Sequence, residues 1–168
     1  MIRKEEPRDF DAVYALIKTA FETAPVSDGD EQDYAAGLRN GGRYIPELAL
    51  VAELGDKLIG QVMLTKNYIE TGAGKIECLL LGPVSVLAEH RSKGVGASLI
   101  DTALTAAKDL GYKAVFLCGD PTYYNRFGFV SVSNYPITPL MDVPVQYVLA
   151  RELETGWLKN AQGTINIV

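Results

Sequence analysis

The stretch EHRSKGVGASLIDTAL, residues 89–104, decides the fold. The chain leaves an apolar run ending near Val86, crosses a short basic turn, sets Gly94 and Gly96 one residue apart and enters a helical pattern. Both glycines are poor helix formers, so their place at a helix start calls for a reason. A helix N-terminus presents unpaired N–H groups and a partial positive charge, and a preceding turn can aim further N–H groups at the same point. Glycine lets such a backbone approach a phosphate closely because no Cβ intervenes. Arg91 and Lys93 add positive charge at the rim. Arg91, Ser92, Lys93, Gly94, Val95, Gly96 and Ala97 therefore form a candidate pyrophosphate cradle. A plain strand–helix turn with Gly96 packed on the sheet suits the same letters, and the glycines alone leave both readings open. A P-loop is excluded because SKGVGAS lacks the Gly-Lys-Ser/Thr ending, and a dinucleotide fingerprint lacks its third glycine where Leu99 stands.

Outward from this turn the elements follow in order. Val95, Leu99, Ala103 and Ala107 share one helical face, with Ile100 and Leu104 beside them, and Gly111 closes the helix. KIECLLLGPVSVL, residues 75–87, precedes the turn and is apolar on both faces, as a central strand is. Pro83 has no N–H to give a ladder, so Gly82-Pro83 marks a place where regular pairing is disturbed and backbone groups are freed. YKAVFLC, residues 112–118, is the next buried strand, and strand–helix–strand in this order implies a parallel, right-handed crossover. Upstream lie a short strand at 2–5 and a helix from Pro7 with Phe10, Val13, Tyr14, Ile17, Ala20 and Phe21 at helical spacing. A loop TAPVSDGDEQ and a shorter helix from Asp30 to Asn40 follow. ELALVAEL and KLIGQVMLTKNYIE then form a hairpin across Gly55-Asp56. Downstream, Asp120-Pro121 starts a very short helix that Gly128 ends, and FVSVS and PVQYVLA read as closing strands. The tail from Arg151 to Val168 is ambiguous. The class is α/β with a mixed sheet flanked by helices, in a single domain over 1–168.

Composition agrees with this class and narrows the function. With 168 residues, 48% hydrophobic and 22% charged, the chain suits one globular domain with a sizeable core. No run is long enough to span a membrane and the start lacks a signal peptide's apolar core, which sets an expectation of a cytoplasmic, membrane-free protein. Cys78 and Cys118 lie in apolar strands and read as buried free thiols of a reducing compartment. One histidine and no Cys/His cluster give no metal site. A net charge of −5 argues against nucleic-acid binding.

Arg91-Ser92-Lys93-Gly94-Val95-Gly96 resembles the Arg/Gln-x-x-Gly-x-Gly/Ala acyl-CoA signature of the GNAT acetyltransferase superfamily. YYNRFGF resembles the family's Tyr-x-x-x-Gly-Phe segment, with Tyr124, Gly128 and Phe129 in the matching places. GDPTYYNRFGF as a whole is most similar to the bacterial YhbS-like branch, and the resemblance covers nearly the whole chain. It implies a GNAT-like acyl-CoA N-acyltransferase fold whose sheet splays between the strands ending near Val86 and Cys118. It also implies acetyl-CoA as acyl donor, with backbone of Val84, Ser85 and Val86 on the pantetheine arm and of Arg91 to Ala97 on the pyrophosphate. The implied reaction is acetyl transfer to an amine of a small molecule or protein by direct attack.

An alkylammonium of pKa near 10 is neutral in only about one molecule in a thousand at pH 7, so deprotonation is part of the problem. Tyr124 matches the family's acid and would also serve as a cofactor contact; a packing tyrosine is the alternative. Relatives carry a carboxylate on the strand before the cradle, where this chain has Leu79-Leu80-Leu81, so Glu77 is the nearest candidate base, with water or a neutral substrate as alternatives. Glu89 and His90 read as an exposed turn pair, and Arg126 as facing solvent or the cofactor's phosphates. The acceptor loop is expected over 22–32. A CoA-binding sensor without catalysis, and an acyltransferase with another donor or acceptor, stay open, as does the oligomeric state, a homodimer included.

Overall fold

The computed structural model describes residues 1–24 and 27–167. Pro25 and Val26, inside the expected acceptor loop, and Val168 lie outside the described residues. The chain forms two compact units, Met1–Thr65 with Gly82–Ala106, and Lys66–Leu81 with Ala107–Val168.

In the first unit, β1 (Ile2–Lys4) and β2 (Tyr44–Leu54) pair antiparallel, and β2 pairs antiparallel with β3 (Lys57–Thr71), placing Ala52 opposite Gly60 and Val51 opposite Gln61. The Gly55-Asp56 turn joins β2 and β3 as expected, and β4 (Gly74–Val86) lies next to β3. α1 (Phe10–Glu22) follows a 3-10 turn at Pro7–Asp9, and α2 is Glu31–Leu38. The amphipathic spacing buries Val13 and Ile17 of α1 with Ala35 of α2 against Val51. Tyr14, assigned to that face by spacing, is instead exposed and donates its hydroxyl to Asp33 at 2.7 Å, tying α1 to α2. Glu5 is buried after β1 and accepts two bonds from Arg39, at 2.8 and 3.0 Å, and one from Tyr44, which fixes the end of α2 to the start of β2.

α3 (Val95–Asp109) buries Leu99, Ile100, Ala103, Leu104 and Ala107, as the periodicity requires. It approaches β3 closely at Gly60, where an added Cβ would lie 3.0 Å from Leu99 Cδ1 and 3.2 Å from Val95 Cγ1. Neighbouring strand residues point to opposite faces, and Val51 and Gln61 stand opposite each other one step along from Ala52 and Gly60. Helices thus cover both faces of this sheet.

In the second unit, β4 pairs parallel with β5 (Ala114–Cys118) at Leu79↔Val115 and Leu80↔Phe116, the arrangement expected of the crossover. β5 pairs antiparallel with β8 (Val148–Glu152), and β8 with β6 (Val130–Ser131). The last segment, ambiguous in sequence, forms β9 (Gly163–Ile165), antiparallel to β3 and parallel to β7 (Ile137–Pro139). Phe116, Ala150, Ile69 and Ile165 are among the buried residues of one core cluster. α4 (Pro121–Tyr124) is the short helix expected after Asp120.

Three expectations need correction. FVSVS supplies only the two-residue β6, because the chain turns into a 3-10 turn at Val132–Asn134 capped by Ser131. In PVQYVLA the strand begins at Val148; Pro144 starts a 3-10 turn that the Tyr147 N–H closes onto the Pro144 carbonyl at 3.0 Å. Cys78 is buried, whereas Cys118 is exposed: it is the last residue of β5, beyond the four consecutive buried residues Ala114–Leu117. Among the described residues no helix is long and apolar enough to cross a membrane, and no group of His, Cys, Asp and Glu is arranged to hold a metal.

Candidate functional site

The cradle is built from the end of β4 onward. Gly82 takes a φ of 145°, in the region that favours glycine, and the Gly82–Pro83 peptide is cis. The parallel register with β5 ends two residues earlier, at Leu80, so the disturbance expected at Pro83 falls where that ladder stops. Ser85 is buried while Val84 and Val86 are half-buried. Gln61, itself 1% exposed, donates its side-chain amide to the Pro83 carbonyl at 3.2 Å and to Ser85 Oγ at 3.1 Å. This brace from β3 holds the strand in shape where regular pairing is broken. Val84, Ser85, Val86 and Arg91 line a cavity of about 280 Å³ with Ala20, Phe21 and Ala24 from the end of α1.

The turn that follows is built by one 3-10 turn and two left-handed residues. The Leu87 N–H donates to the Ile59 carbonyl at 2.9 Å, a 3-10 turn covers Ala88–His90, and Ser92 and Gly94 have φ of 61° and 85°. No atom beyond its chain neighbours lies within 4 Å of an ideal Cβ at Gly94, so that glycine serves backbone conformation and open access. The first i→i−4 bond of α3 runs from the Ser98 N–H to the Gly94 carbonyl at 3.0 Å. The N–H groups of Val95, Gly96 and Ala97 precede it, and those of a first helical turn are the kind an anion can meet. A second cavity, of about 360 Å³, adjoins Lys93, Gly94, Val95 and Ser98.

Arg91 behaves differently from expectation. Its guanidinium does not stand free at the rim: Nε donates to the Val86 carbonyl at 3.1 Å and NH2 to the Ala20 carbonyl at 2.6 Å. Gly60 packs closely between the sheet and α3, beside Leu99 and Val95. Glu89 is exposed and meets Lys57 at 3.4 Å, in keeping with a surface turn.

In the second unit, Asp120 caps α4 by accepting from the Thr122 N–H and hydroxyl at 2.9 and 2.8 Å, and these bonds hold its carboxyl below the usual range. Gly128, at φ 83°, ends the following 3-10 turn. Tyr124 is half-buried with its ring edge-on to Tyr123 and Phe129, at 5.0 and 6.0 Å between centroids. The ring lies on the Gly119 backbone, where an added Cβ would be 2.7 Å from Tyr124 Cε2. Burial, with Tyr123 alongside, pushes the Tyr124 phenol up to about 12, so it stays protonated at neutral pH and can donate. Arg126 stacks its guanidinium on the Tyr123 ring at 4.6 Å. Glu77 is exposed on β4. Gln61, Gly60 and Gly119 went unassigned in the sequence. The signals were a lone glycine and a lone amide inside the apolar run LIGQVML, and a glycine directly after a strand.

The first unit thus carries a turn of left-handed residues at a helix start, and the second a protonated phenol at Tyr124. Residues 1–132 match the family model described as "Acetyltransferase (GNAT) domain", and the chain belongs to that family and is an acyltransferase. It is 28% identical over 137 residues to "Uncharacterized N-acetyltransferase YjhQ" of Escherichia coli K12, covering 82% of this chain and 73% of the relative. The E. coli K12 protein "Uncharacterized N-acetyltransferase YhbS" is also 28% identical over 137 residues, covering 82% of this chain and 77% of that one. Among solved structures, the E. coli GNAT family N-acetyltransferase YhbS in complex with CoA superposes with a TM-score of 0.86. That match has 24% identity and covers all of this chain and 89% of that one, and it shows the fold. A GNAT family acetyltransferase from Brucella melitensis in complex with acetyl-CoA gives a TM-score of 0.80 at 27% identity, over 98% of this chain and 93% of that one.

Proposed function

We propose that the protein is an acetyl-CoA-dependent N-acetyltransferase that transfers acetyl to a primary amine of a small molecule or protein by direct attack. The observation that carries this reading is the cradle. Ser92 and Gly94 adopt left-handed conformations, and the turn leads into the first-turn N–H groups of Val95, Gly96 and Ala97, which precede the Ser98 N–H bond to the Gly94 carbonyl. The relatives' solved complexes with CoA and acetyl-CoA support the choice of ligand. Backbone from Arg91 to Ala97 would hold the pyrophosphate, with Lys93 exposed beside it, and Val84, Ser85 and Val86 would hold the pantetheine arm. When bound, the cofactor supplies the acetyl group as an activated thioester.

The chain's own residues then have three tasks. Gln61 keeps the β4 backbone in place beside the cavity. Tyr124 holds a proton at Oη and gives it up to the departing thiolate, a role supported by its match to the family's acid; its raised pKa keeps the proton in place until the thiolate forms. The amine's proton passes toward solvent, with Glu77 as the candidate carboxylate on β4.

The test is acetyl-CoA turnover against a panel of amines. Thiol release that requires an amine supports the reading, and Tyr124→Phe should then lower kcat about 100-fold with a much smaller change in acetyl-CoA affinity. Tight acetyl-CoA binding with no turnover on any amine would replace the enzyme by a sensor.

A further inference from the structure

Arg91 stands at the meeting of three segments of the first unit. Its backbone N–H donates to the Ala88 carbonyl at 3.3 Å, closing the 3-10 turn that leads into the cradle. Its guanidinium reaches the last residue of β4 through the Val86 carbonyl and the last turn of α1 through the Ala20 carbonyl, 71 residues away in sequence. The Ala20 carbonyl is among the last four of α1, which have no partner inside the helix and carry its negative end. α1 has no basic residue in its own last turn, so the cation that satisfies this end comes from the cradle. Thr23 Oγ1 adds a second bond to the same carbonyl at 3.2 Å. The two elements so joined, Ala20, Phe21 and Ala24 on one side and Val84 to Val86 on the other, are the walls of the 280 Å³ cavity.

We propose that Arg91 is a positioning residue for the acyl donor's pantetheine arm: its side chain fixes the end of α1 as the wall facing Val84–Val86, the segment assigned to that arm, while only its backbone belongs to the pyrophosphate turn. The inference rests on the acetyltransferase reading for what enters the cavity. The chemistry requires arginine. The two carbonyls lie on separate elements and are met by two nitrogens of one planar fork, which a single ammonium does not reproduce. A cation spent on two carbonyls also adds little as a phosphate ligand. One residue thus ties the shape of the pantetheine cavity to the cradle's own turn.

The test uses the full-length protein with Arg91→Met, which keeps much of the stem, and Arg91→Lys, which keeps the charge. Without ligand, hydrogen exchange over residues 20–24 and 86–91 should quicken roughly ten- to hundredfold in both variants, the expected loss when charge-assisted bonds to carbonyls are removed. Acetyl-CoA affinity should fall about tenfold in both variants and keep its salt dependence, because a wall of the pantetheine cavity and not a phosphate cation is lost. Lysine must fail to rescue. Recovery of wild-type behaviour in Arg91→Lys overturns the proposal in favour of a phosphate cation. So does an acetyl-CoA affinity unchanged in both variants, or one whose loss comes with a flattened salt response. If the wild-type chain binds no acetyl-CoA, the functional reading fails by itself, and the exchange measurement still decides whether Arg91 holds α1.

Discussion

Gly119→Ala tests the placement of Tyr124 without touching Tyr124. Gly119 sits outside the left-handed region, so alanine meets no backbone penalty there, and its N–H bond to the Tyr147 carbonyl at 2.9 Å is retained. The new methyl would lie 2.7 Å from Tyr124 Cε2 and 3.1 Å from Cδ2 of the same ring. Carbon atoms rest at about 3.5–4.0 Å, so the ring must retreat by about 0.8 Å or more. Tyr123, Phe127 and Phe129 surround it, with centroids 5.0, 6.3 and 6.0 Å away, and oppose that movement. Overpacking of this kind costs about 1–3 kcal/mol, which at this chain length lowers Tm by roughly 2–12 °C. Urea unfolding should show a lower midpoint at unchanged slope. In a Tyr124→Ala background the same substitution should cost far less, leaving a coupling of about 1–2 kcal/mol between the two sites. Equal destabilisation in both backgrounds would refute the packing argument. The kinetics give a second check: a displacement near 1 Å of the phenol should lower kcat by about 100-fold if its hydroxyl delivers the proton. Lost stability with wild-type kcat would separate the ring's structural role from the assigned chemistry.

Two further outcomes follow from the described side chains. In native protein a disulfide reagent should find Cys118 and miss Cys78, with both titrating after unfolding; because partial burial pushes the Cys118 thiol up, it should react more slowly at pH 8 than a small free thiol, and rapid reaction of two native thiols would contradict this. Asp9 is held at about 2, chiefly by its bonds from Arg3 at 2.7 and 3.0 Å, so it binds protons more weakly folded than unfolded; its stabilisation is present above about pH 4, is lost as pH falls toward 2, and should vanish from the acid limb of an Asp9→Asn variant, an unchanged limb refuting the assignment.

Local chemistry was legible where a residue's role is set by its neighbours in sequence. The Asp120-Pro121 cap, the Gly55-Asp56 hairpin and the periodic face of α3 all belong to that kind. Short strands near the C-terminus were not legible, because their pairing is set far away: Ile165 lies opposite Ile69, and Gly163 approaches the Glu70 carbonyl so closely that a Cβ would come within 2.1 Å. Nothing local to INIV or PVQYVLA reports such a partner. The exposure of Cys118 was hidden for a related reason, since apolar surroundings along the chain do not show where a strand runs past its cover.

The cradle shows the same division inside one motif. Two glycines in RSKGVG suggest that both exist for the ligand, or that one packs on the sheet. The structure assigns conformation to Gly94 and gives the close approach to Gly60, on a strand more than thirty residues earlier. The reason is geometric. A Cβ at Gly60 would press on Leu99 and Val95, so a glycine that admits α3 belongs to the sheet. Arg91 follows the same logic in charge. In sequence a cation beside an anion cradle is naturally assigned to the anion, yet the carbonyl end of α1 is itself an unpaired negative group within reach. Backbone carbonyls have no letter in the sequence, and the residue that satisfies them can be identified only once the fold has brought the helix end to it.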